Sequence, residues 1–83
     1  MALDVRPNAQ KQLAGVPKAD RERLRERLEE IAKNPYGSHP DAKRLTGTPG
    51  FRVRQGDWRA VYRITGAGDV IVIHVGHRRE VYR

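Results

Sequence analysis

Eighty-three residues make one domain with a thin core, because a chain of this size buries only about two-thirds of the surface its unfolded form exposes. The absence of cysteine excludes a disulfide framework and a thiolate metal site. No apolar stretch approaches the roughly 18 residues of a membrane span, and Met1-Ala2-Leu3-Asp4 lacks the basic and apolar regions of a signal peptide, so a cytoplasmic protein is expected.

The formal charge is +7, and it is unevenly spread. Residues 1–41 carry eight Lys/Arg against seven Asp/Glu, whereas residues 42–83 carry nine against three. Eight of those nine cations are arginine, whose planar fork pairs with phosphate through two bonds and stacks on bases. A basic half-chain of this composition points to a polyanionic partner, nucleic acid first, ahead of a merely well-solvated surface.

Along the chain, residues 3–6 read as a strand and Pro7 opens a short helix over 8–14, which Gly15 closes. After Val16-Pro17, residues 18–33 read as the main helix, with Leu24, Leu28 and Ile31 recurring at the spacing of one core-facing stripe. Arg25 with Glu29 and Glu29 with Lys33 place opposite charges four residues apart, so this helix neutralises itself along a solvated face. Asn34-Pro35 ends it, and 36–41 is a loop.

From Lys43 the pattern turns to strands. Phe51-Arg52-Val53-Arg54 alternates strictly, which sends Phe51 and Val53 to the core and Arg52 and Arg54 to the other face. Gln55-Gly56-Asp57 is a turn, 58–64 the next strand, and Thr65-Gly66-Ala67-Gly68-Asp69 a longer hairpin connection. Residues 70–75 are apolar on both faces and read as an interior strand. The expected fold is therefore α+β: an N-terminal strand, a two-helix hairpin, then an antiparallel meander of three or more strands, with the helices on one sheet face. Phe51, Val53, Val61, Ile64 and the 70–75 run are the expected sheet core, with Trp58 as core or rim support. Residues 1–83 form one domain.

Arg52, Arg54, Arg59 and Arg78 then converge on the uncovered face, where like charges repel unless an anion sits between them. Pairing with Asp57, Asp69 or Glu80 is the alternative, but three acids cannot satisfy the whole set.

Together, Lys43-Arg44-Leu45-Thr46-Gly47, Phe51-Arg52-Val53-Arg54, the segment from Gly56-Asp57-Trp58-Arg59 through Tyr62, and the tail Gly76-His77-Arg78-Arg79-Glu80-Val81-Tyr82 resemble the RelE branch of the RelE/ParE toxin superfamily. The resemblance covers essentially the whole chain. It implies a RelE-like fold and the toxin of a type II toxin-antitoxin system, an endoribonuclease that cuts messenger RNA in the ribosomal A site. In that chemistry the ribose 2′-hydroxyl attacks the adjacent phosphate, leaving a 2′,3′-cyclic phosphate and a 5′-hydroxyl, with no metal and no cofactor. The implied partners are the ribosome with its message and a RelB-like cognate antitoxin, through which alone operator DNA is bound; no membrane is implied.

Carried over by position, the resemblance makes Arg59 and Arg78 stabilisers of the transition state, and Arg52, Arg54, Lys43 and Arg44 binders of RNA phosphate. Tyr82 stacks on or orients a base beside the cut or takes part in proton transfer; packing of its ring against the sheet is the competing assignment. Arg52 and Arg54 stand where lysines occur in the family, and a guanidinium stays protonated, so neither serves as an ordinary general base. His77 is the expected proton acceptor, whereas His74, inside the apolar strand, reads as a satisfied core residue and His39 as a loop residue. Assistance from the ribosome itself is the alternative. Two other functions fit part of the pattern: a ParE-like toxin that acts on DNA gyrase without cutting RNA, and a non-catalytic RNA-binding module.

Overall fold

A computed structural model describes residues 2–77 of the chain. In chain order the elements are β1 (Leu3–Val5), α1 (Pro7–Ala14), α2 (Lys18–Lys33), β2 (Ala42–Arg44), β3 (Phe51–Gln55), β4 (Trp58–Ile64) and β5 (Val70–His77). The five strands form one sheet in the order β1-β5-β4-β3-β2. The meander is antiparallel as expected, but β1 joins it parallel to β5, pairing Leu3 with Val70 and Val5 with Val72. The sheet is therefore mixed.

Each helix forms for a local reason. Pro7 sits in the first turn of α1, where its missing N–H loses nothing, and the chain leaves α1 through Gly15, whose N–H donates to the Gln12 carbonyl at 3.1 Å. Along α2 the stripe of Leu24, Leu28 and Ile31 is buried, joined by Ala32, while the polar positions around it lie outward. No ion pair joins Arg25 to Glu29 or Glu29 to Lys33; among the described residues, the cation of α2 that finds a carboxylate is Arg27, which pairs with Asp41 and donates through Nε to Gln55 at 2.9 Å. The helix is thus tied to the sheet rim rather than to itself.

Both helices cover one face. Ala9, Leu13, Val16, Leu24, Leu28 and Ile31 pack on Val53, Ala60, Tyr62, Val70, Val72 and Val75. Tyr62 lies at the centre of this layer, 1% exposed, with its ring stacked 5.4 Å from that of Phe51. Val61 is buried as well, yet it alternates away from Ala60 and Tyr62 and stands outside the helix-facing cluster. Alternation explains this change from expectation: a strand cannot send both Val61 and its neighbours to the same side.

Two backbone features set the register. Gly56 and Asp57 close the hairpin between Gln55 and Trp58, and Gly56 takes φ +60°, a conformation open to glycine at little cost. Between β4 and β5 the pairing steps from Val61 opposite His74 to Tyr62 opposite Val72, which leaves Ile73 as an extra residue in a bulge. That bulge lets Val70, Val72 and Val75 share the core face even though they do not share one alternating phase. β5 also continues past Val75 to His77, so Gly76 is a strand residue and not the start of a tail.

Truncating Leu24, which is fully buried, to alanine is expected to lower stability by about 2–5 kcal/mol in urea unfolding, against about 0.5 kcal/mol or less for the exposed Arg23. Burial pushes the Tyr62 phenol up to about 12. Up to the ordinary phenol range near pH 10 both states keep it neutral; above that only the unfolded chain ionises, until the folded value is reached, so stability falls by about 1.4 kcal/mol per pH unit. Because the unfolded phenol is already half ionised at pH 10, wild type should lose about 1 kcal/mol more than Tyr62→Phe between pH 10 and pH 11.

Candidate functional site

The face left open by the helices is assembled by register alone. Lys43, Arg52, Val61 and His74 lie directly opposite one another across β2, β3, β4 and β5, and Arg54, Arg59 and Gly76 form the next row. Lys43, Arg52, Arg54 and Arg59 line a cleft of about 220 Å³, closed on one side by Pro40 and Asp41. That is smaller than the roughly 300–1,000 Å³ of sites for whole drug-sized ligands, and suited to a backbone phosphate.

Electrostatically the cleft is nearly all donor. A guanidinium or ammonium presents N–H groups and no acceptor, so these side chains can neutralise an oxyanion but not take a proton. The carboxylate at the rim, Asp41, is engaged by Arg27 of α2. Asp69 lies at the far end of the sheet, where it accepts the Ala2 N–H at 3.0 Å. Arg54 curls back along the hairpin, its Nε donating to the Gly56 carbonyl at 3.2 Å, so it enters the cleft from the turn.

The expected site residues divide accordingly. Lys43, Arg52, Arg54 and Arg59 are brought together. Arg44 is not: it alternates to the other face of β2, opposite Phe51, and its guanidinium rests 5.7 Å from the centre of that ring. His77 is also separated from the cleft. It pairs opposite Trp58, one residue beyond the Arg59–Gly76 pair, and its ring meets the indole edge-on at 5.5 Å. Trp58 packs against the helix-facing core, so a single step of alternation puts the His77 imidazole on that side of the sheet and not on the face of Arg59. Arg78 and Tyr82 lie outside the described residues, as do Arg79 and Glu80.

Two features of this face escape a reading of motifs. Gly76 stands directly opposite Arg59 and puts no side chain on the open face there; a glycine within a strand is the usual signal of such a close approach. His74, read from its apolar neighbours as a core residue, instead shares the open face with Arg52. Its Nδ1 lies 3.1 Å from Nε2 of Gln12 in α1, while Oε1 of the same amide accepts the Val75 N–H at 2.8 Å. No local sequence signal joins Gln12 to His74, which is 62 residues away.

A family model described as the ParE toxin of type II toxin-antitoxin systems, parDE, matches residues 3–82. The chain belongs to this family of toxins, within the RelE/ParE superfamily. No curated protein matches it. Among solved structures this toxin is similar to the isolated E. coli RelE toxin, at 29% identity over 98% of this chain and 89% of that one, with a TM-score of 0.77. It is similar also to the toxin of the intact E. coli RelBE complex, at 29% identity over 92% and 94% of the two chains and a TM-score of 0.76. The RelB-RelE complex of Methanococcus jannaschii shares the fold, with a TM-score of 0.79 at 24% identity over 95% and 94%. Family membership thus comes from a ParE model, while the architecture is that of RelE.

Four cations in one cleft make binding of single-stranded RNA strongly salt-dependent. If each meets a phosphate, the slope of log affinity against log salt should be about −3 and fall by about 0.7 on replacing any one with alanine. Fluorescence anisotropy across a salt series reads this directly.

Proposed function

We propose that this toxin is an endoribonuclease that cuts messenger RNA in the ribosomal A site and so arrests translation. The observation that carries the reading is the convergence of Lys43, Arg52, Arg54 and Arg59, from three adjacent strands, on one phosphate-sized cleft in a RelE-like fold. In the reaction the 2′-oxygen attacks phosphorus as its proton leaves, the bond from phosphorus to the 5′-oxygen breaks, and that oxygen gains a proton. Negative charge builds on the non-bridging oxygens during this step. Arg59, from the middle strand of the sheet, and Arg78 hold those oxygens, while Arg52, Arg54 and Lys43 fix the flanking phosphates. Fixed cations supply the charge stabilisation that other nucleases take from a metal.

Tyr82 orients the base beside the cut. The arginines contribute no proton acceptor, and His77 is not assigned that task because its ring packs on Trp58; acid-base assistance comes in part from the ribosomal surroundings. A RelB-like antitoxin restrains the toxin by covering the helices and the cleft with apolar and acidic segments, and operator DNA is met only through that complex. Support comes from the solved toxin-antitoxin complexes to which this fold is similar.

In cells expressing the toxin under control, message ends should map to codon-phased cuts bearing 2′,3′-cyclic phosphates. Arg59→Ala should slow cleavage of ribosome-bound RNA by about 10²–10³-fold without a change in melting temperature. Full activity in that variant would overturn the assignment. The match to a ParE model favours one other reading, a toxin acting on DNA gyrase. Inhibited supercoiling together with intact messages would establish it instead.

A further inference from the structure

We infer that His74 is a substrate-contacting residue of the cleft face, a neutral imidazole that donates to RNA phosphate through Nε2–H and is set in that tautomer by Gln12. The inference rests on the ribonuclease reading for its substrate, but its geometry stands on the fold.

Hydrogen-bond logic fixes the tautomer. The Val75 N–H can only donate, so the Gln12 atom facing it at 2.8 Å is the amide oxygen. That orientation leaves the amide nitrogen, which can only donate, facing Nδ1 of His74 at 3.1 Å. Nδ1 must therefore accept, and the ring proton sits on Nε2. A glutamine is suited to the task because β1 stops pairing at Val72, so the next part of the β5 edge is open for α1 to engage.

Register then places the ring. His74 is opposite Val61 and diagonal to Arg59, which faces the side-chain-free Gly76. Diagonal neighbours on a sheet face stand roughly 7–8 Å apart, a span that a phosphate bridging two donors fills. The bulge at Ile73 turns His74 to this side of the sheet. A neutral donor has a physical advantage here. It binds an anionic oxygen without adding a charge to a surface already crowded by Arg52, Arg54, Arg59 and Lys43. Gln12 never meets substrate and acts as the positioning residue.

Long-range 1H–15N spectra of the histidine-labelled toxin should show His74 neutral and protonated at Nε2. In Gln12→Glu, whose carboxylate only accepts, the proton should move onto Nδ1. Adding a trinucleotide with a 2′-deoxyribose at the cut position should shift the His74 Nε2 resonance in wild type. On ribosomes, His74→Phe, which keeps a ring but no donor, should cleave about tenfold more slowly at an unchanged melting temperature, and His74→Gln should recover part of the loss. Protonation at Nδ1 in wild type, an unmoved Nε2 resonance, or wild-type rates in His74→Phe would each overturn the inference. Should wild type cut no message at all, the ribonuclease reading fails by itself, and the response of Nε2 to the oligonucleotide still decides whether His74 contacts phosphate.

Discussion

The gathering of four cations on one sheet face is the constraint around which the rest of this structure is arranged. Lys43, Arg52, Arg54 and Arg59 are held on one face by backbone pairing, so they cannot drift apart as flexible surface side chains would. Holding them costs free energy, and the apolar layer on the other side of the same strands supplies it. Val53, Ala60, Tyr62, Val72 and Val75 bury against the two helices, and each buried residue fixes its outward-facing neighbour by alternation. The proposed phosphate site is thus positioned by the sheet before any ligand arrives.

The acid at the rim of the cleft has a partner of its own. Asp41 lies at its rim yet is held by Arg27, a cation supplied from outside the sheet. Through that pair and the Arg27–Gln55 hydrogen bond, α2 grips the loop before β2 and the end of β3 together. These polar connections tie the helix to the rim of the cleft.

Much of this was legible in the chain. Leu24, Leu28 and Ile31 announce α2 because a helical stripe repeats within a few residues, and Arg52 and Arg54 declare their face because strand alternation is equally local. What sequence reading missed depends on pairings between distant segments. The parallel union of β1 with β5 joins Leu3 to Val70, and the extra residue at Ile73 reverses the phase of the strand that follows. A uniformly apolar run hides such a bulge, since valine and isoleucine read alike in either phase. Hence His74 and His77, three residues apart, exchanged expected roles: one was read as core and lies on the open face, the other was read as catalytic and packs on Trp58. Arg44 is placed by its register rather than by its charge, which sets its guanidinium over the Phe51 ring.

The parallel pairing of β1 has a consequence for synthesis. Leu3 leaves the ribosome early, but the strand it must pair with, Val70–His77, is the last of the sheet to be made, and the loop between them is almost the whole chain. Closing so long a loop is entropically costly and is deferred until the final strand is free of the exit tunnel. Until then β5 is missing from the sheet, and with it the wall on which Gly76 and His74 stand. The open face therefore reaches its full width only once β5 has joined the meander, whereas the cleft lined by Lys43, Arg52, Arg54 and Arg59 needs only β2, β3 and β4.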